Sequence, residues 1–157
     1  MSREGDLMRR ALKRHLMPAL NTRGFTGKTS AFQRKTAQWM DLLDVQYGKY
    51  GGQFILEFGR RERGELKTSW GEVVSEDKLN VAHLSPLRRA RLEERGPSMG
   101  PLMRGFSFEG FGEEAARYDA LASRVAALLP QVEGWLEGGV LGSHIHSLGT
   151  PGARSVE

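Results

Sequence analysis

The chain has 157 residues, 39% of them apolar and 27% charged, which suits one hydrophobic core under a solvated surface. It contains no cysteine, which excludes a disulfide framework, a thiol nucleophile and a zinc site built on thiolates. The net charge of +4 is uneven: residues 1–40 hold nine Lys/Arg against two Asp/Glu, for +7, and the remainder carries −3. Such asymmetry marks either a surface for anionic partners or a basic helix face that is simply solvated. The N-terminal stretch has basic residues but no continuous apolar run, and no window approaches 18 apolar residues. The expectation is therefore no secretory signal, no membrane span and a cytoplasmic location.

Leu7, Met8, Ala11, Leu12, Leu16, Ala19 and Leu20 recur at three- and four-residue spacing, which predicts a helix over 6–21 with one buried stripe. Asp6 suits its cap or first turn. Pro18 removes a backbone donor and predicts a kink near Arg14, and Gly24 reads as the stop. Arg9, Arg10, Lys13 and Arg14 project away from the apolar stripe. His15 sits on its flank as a boundary histidine.

The next segment is rich in aromatic and β-branched residues and broken by glycine. It predicts strands at 30–36, 39–47 and 52–60. In the second, Leu43, Val45 and Tyr47 share one face and Leu42, Asp44 and Gln46 the other. One sheet face should be covered and the other wetter. Gly48-Lys49-Tyr50-Gly51-Gly52 reads as a hairpin turn; a strand follows it, not the helix a phosphate loop needs. Residues 65–74 read as a loop or short strand. In 77–95, Ser85-Pro86 predicts a short helix, with Arg88, Arg89 and Arg91 clustered near Glu93 and Glu94. Residues 96–112 read as an ordered loop, with an edge strand at 104–109. A final helix over 113–137 should break or bend at Pro130. The glycine- and serine-rich tail from 138 to 157 predicts partial disorder. The expected fold is α+β: a single domain over 1–137, with N-terminal and C-terminal helices packed against a small antiparallel sheet.

The order LNTRGF (Leu20 to Phe25), FQRK (Phe32 to Lys35), DLLDVQYGKYGGQFILEFG (Asp41 to Gly59) and HLSPLRRARL (His83 to Leu92) resembles the bacterial family catalogued as domain of unknown function 4304. Asp44-Val45-Gln46 stands where that family carries an asparagine-phenylalanine-glutamine run. Glu57 stands at the place of a second asparagine. The resemblance implies helices against an antiparallel sheet and transfers no catalytic residue.

No catalytic constellation emerges. Asp41 and Asp44 are three apart on a strand and point to opposite faces, so they make no acid/base pair. No nucleophile elbow, dinucleotide fingerprint or phosphate loop is present. His144-Ile145-His146 puts two rings on one face if extended, but only Glu137 and His83 offer themselves as nominal third ligands, so neither a metal nor a cofactor is expected. What stands out is basic and aromatic character: Arg10, Lys13 and Arg14 on the helix, Trp39 and Tyr50 in the sheet region, and Arg88. The first reading is a non-catalytic domain that binds another protein. The second is nucleic-acid binding through the basic helix face. The third is an enzyme with a nonstandard site drawing on Asp44, Arg88 or His83. The oligomeric state stays open.

Overall fold

A computed structural model describes residues 2–94, 105–147 and 149. The first helix, α1 (Arg3–Thr22), buries Met8, Ala11, Leu12, Leu16 and Leu20. Ser2, not Asp6, caps it: the Ser2 hydroxyl accepts from the Gly5 N–H at 3.0 Å. Asp6 lies in the first turn, where a negative charge suits the helix dipole. The element continues through Pro18 as one helix. Gly24, with φ +92°, then turns the chain into the sheet.

The sheet comprises β1 (Thr26–Lys28), β2 (Ala31–Lys35), β3 (Trp39–Tyr47) and β4 (Gln53–Glu62), with β7 (Arg89–Leu92), β8 (Phe106–Ser107) and β9 (Ile145–Ser147). Its order is β1-β2-β3-β4-β7-β9, with β8 also on β4, and every pairing is antiparallel. A small separate hairpin, β5 (Leu66–Lys67) and β6 (Val73–Val74), follows β4. The middle strands alternate as read from the sequence. Phe32, Leu43, Val45, Phe54, Leu56 and Phe58 join α1, α2 (Ala115–Ala127) and α3 (Leu129–Gly138) in the main core. Met40 and Leu42 face the other way, into a smaller cluster with Leu79, Val81 and Leu84. The break between α2 and α3 falls at Leu128, which places Pro130 in the first turn of α3, where its missing N–H costs little.

Two expectations are corrected. The short helix read at Ser85-Pro86 is present as one turn, with the Ser85 hydroxyl accepting from the Leu87 N–H at 3.3 Å, but the residues after it form a strand. Single turns of tighter 3₁₀ helix at Glu76–Lys78, Val81–His83 and Pro86–Arg88 lead into strand β7. Ala90 and Leu92 are buried while Arg89 and Arg91 reach the opposite face, a period of two that a helix cannot hold. The expected cluster of these arginines with Glu93 and Glu94 is also replaced: Arg88 pairs with Glu62, and Arg89 and Arg91 both pair with Glu57. Secondly, the tail does not leave the fold at residue 138. Residues 145–147 pair with β7 as strand β9, Ile145 is buried, and the Trp135 indole N–H donates to the Ser147 hydroxyl at 3.1 Å. The exposed edge of β7 and the indole donor supply partners that composition does not show. Residues 95–104, 148 and 150–157, including part of the expected edge strand, lie outside the described residues. Among the described residues no helix is long and apolar enough to cross a membrane.

Candidate binding groove

Most charge in this protein is consumed by its own structure. Arg34, Asp41 and Arg60 occupy neighbouring places on β2, β3 and β4. Asp41 is fully buried and accepts from Arg34 Nε at 2.9 Å and from Arg60 Nε at 2.7 Å. Arg34 also reaches Glu133 of α3 at 2.9 Å. Burial opposes the charge of Arg34, but Asp41 and Glu133 outweigh it and raise its pKa. On the opposite face Glu57 is buried and accepts from Arg91 Nε at 2.7 Å and from Arg89 at 3.2 Å. Asp44 stands directly across from Glu57. Burial, and then the Glu57 charge, push the Asp44 carboxyl up to about 6 against the pull of the Val81 backbone N–H, Arg89 and His83.

The sequence-derived candidates fall into separate places. Arg14 is spent on Asp119 of α2 at 2.6 Å. Arg88 is nearly buried against Glu62. Trp39 is half-buried, with the Arg60 guanidinium 5.5 Å from its ring centre. Tyr50 is 93% exposed at the tip of the β3–β4 turn, with Lys49 near its ring. Trp39 therefore begins a nine-residue strand and Tyr50 lies beyond its other end, roughly 26 Å or more away at about 3.3 Å per residue, and the two form no common patch. Of the residues named for a nonstandard enzyme site, Asp44 and His83 are electrostatic neighbours and Arg88 is elsewhere. The His83 ring is occupied as an acceptor from the Asn80 N–H at 3.1 Å.

Of the original set, Lys13 lines a groove. This groove, of about 380 Å³, runs between α1 and the β1–β2–β3 end of the sheet. Leu12, Leu16, Met17, Phe32 and Val45 form its apolar wall, and Arg9, Lys13, Lys28, Thr29 and Tyr47 border it. The helix spacing of Arg9 and Lys13 puts both on one side of α1, one turn apart. The Arg9 guanidinium lies 3.9 Å from the centre of the Tyr47 ring, and its buried Nε has no hydrogen-bond partner among the described residues. Neither Arg9, Lys13 nor Lys28 has an ion pair among the described residues, and no carboxylate is in the lining.

No family model, no curated protein and no solved structure matches this chain.

Sequence reasoning missed Lys28, Thr29 and the whole of β1. The signal was present in part: Gly27-Lys28-Thr29-Ser30 has turn composition. However, the turn is closed by a threonine with φ +59°, an uncommon and strained choice for a β-branched residue. Two residues join Lys28 to Ala31, which pair directly. Gly27 is required for close packing: a Cβ there would meet the Ala31 carbonyl oxygen at 2.1 Å.

Proposed function

We propose that this chain is a non-catalytic binding domain that engages another protein through the groove between α1 and the β1–β2–β3 end of the sheet. The observation that carries this reading is the combination of an open apolar wall with three cations that no carboxylate among the described residues neutralises. A cavity of about 380 Å³ is within the usual range for a recognition pocket, roughly 300–1,000 Å³. Unpaired cations around an apolar centre match the polar-rim, apolar-core anatomy of protein interfaces. The likeness to domain of unknown function 4304 rests on the motifs alone and adds no activity. A cytoplasmic location is part of the same proposal.

Nucleic-acid binding through α1 is supported less well. Arg10 and Lys13 are exposed, but Arg14 is held by Asp119, which leaves a sparse row for phosphates. The test is affinity capture of the tagged chain from its native cytosol, beside the Lys13→Glu/Lys28→Glu double variant. A stoichiometric protein retained through nuclease treatment by the original chain and lost by the variant supports the reading. A partner held equally by both removes the groove from it, and nuclease-sensitive nucleic acid lost with salt replaces it.

A further inference from the structure

Strand β1 is a sheet edge, pairing only with β2 among the described residues, and all three of its residues are exposed. Because Lys28 and Ala31 close a two-residue turn, they form the hydrogen-bonded pair of the hairpin. The next pair, Gly27 with Phe32, is then the non-bonded one. Gly27 therefore directs its backbone N–H and C=O away from the sheet, toward any strand that arrives there.

The surroundings of this edge differ on its two faces. On the helix side lies the cation-bordered apolar groove. Phe32 faces that way. On the other side a second concavity, also about 380 Å³, is bordered by Lys28, Gln33, Asp77, Lys78, Leu79 and Asn80. Its lining mixes polar and apolar groups: the Gln33 amide donates to the Glu76 and Leu79 carbonyls at 3.0 and 2.9 Å, fixing the Glu76–Lys78 turn above the sheet. A strand added to an edge sends successive side chains to alternate faces. Here each face offers a hollow directly beside the receiving edge.

Building on the binding-domain reading, we propose that β1 receives an extended segment of a partner protein, as an added antiparallel or parallel strand. Alternate residues of that segment enter the helix-side groove and are apolar at the centre and acidic at the flanks. The intervening residues are small and polar and enter the opposite hollow. The charge assignment follows from Arg9 and Lys13 beside the helix-side groove and from Lys28 at the edge between the two hollows, none of which has an ion pair among the described residues. It also disfavours a second copy as the occupant, since edge-to-edge pairing of two such chains brings Lys28 and its neighbouring cations together. Edge lysines act against self-pairing in this way.

The probe is a nine-residue peptide, acetylated and amidated, with threonine at odd positions and glutamate, leucine, leucine and glutamate at the even ones. Its binding is read by backbone amide NMR shifts of the full chain. The expected result is shifts concentrated on β1 and the adjoining part of α1. Lys13→Glu/Lys28→Glu should weaken binding at least tenfold, with an unchanged melting temperature confirming the fold. A peptide with lysine in place of glutamate should bind at least tenfold more weakly. Peptides N-methylated at every second nitrogen, one for each register, test the backbone: one of the two should lose at least tenfold while its side chains are retained. Equal binding of the acidic and basic peptides overturns the charge assignment, and full binding of both N-methylated forms overturns strand addition. Absence of any binding, while the captured partner still depends on Lys13 and Lys28, overturns this mode of recognition and leaves the groove reading standing. A partner indifferent to both lysines removes the groove reading itself. A dimer in solution that is dispersed by the double variant assigns the edge to a second copy and overturns the proposal.

Discussion

Arg34 and Arg9 are both arginines on the helix-facing side of the sheet, and they are treated oppositely. Arg34 is nearly buried and bound by Asp41, Glu133 and Glu137. Arg9 has a tyrosine ring beneath it and no carboxylate among the described residues. The centre of the sheet thus neutralises its charges internally, and the β1 end leaves them available. A buried cation is tolerated only when it is paired, whereas a rim cation keeps its water and can wait for a partner. The location of unspent charge, more than the net charge of +4, is what separates structural from binding roles in this chain.

The comparison predicts a ranked set of stability effects. Asp41→Ala should be the most damaging, at about 3–5 kcal/mol, because it strands Arg60 as a nearly buried cation and takes from Arg34 one of its three carboxylates; urea unfolding measures it. A loss under 1 kcal/mol would mean that the two arginines find water or other partners, and would erase the contrast with Arg9. Glu57→Gln should cost about 1–2 kcal/mol, since Arg89 and Arg91 are less buried and can turn toward solvent.

Asp44→Asn should have the opposite sign. The folded carboxyl titrates at about 6 and the reference group at 3.8, so the native state holds its proton to higher pH than the unfolded chain. Below pH 3.8 both states are protonated and this group contributes nothing. As pH rises to about 6 the unfolded chain releases the proton first, so stability falls across that window, and the penalty is constant above it. The asparagine variant should therefore be more stable at pH 7 by about 1 kcal/mol, allowing for solvent screening of this partly exposed group. It should also lose that portion of the pH slope, as read by thermal melts between pH 4 and 7. The smallest effect belongs to the groove. Lys13→Glu with Lys28→Glu should change stability by no more than about 0.5 kcal/mol, since neither lysine has a carboxylate to lose among the described residues. A large loss there would move these lysines into the structural class.

Local pattern carried much of the architecture. The apolar stripe of α1, the alternation of Leu42 to Tyr47, and the break near Pro130 each depend on neighbours within one element. The α+β class follows from them. The placement of 89–92 and 145–147 as strands was not legible, because each pairs with residues thirty or more positions away. The candidate site was legible only as a list of basic residues. Arg14, Arg88 and Lys13 look alike in a sequence. Folding brings Asp119 to the first and Glu62 to the second, and leaves the third beside an apolar groove. Periodicity determines which side of an element is buried, because that depends on spacing along the chain. Which charges are cancelled depends on separations through space, and only the tertiary structure sets those.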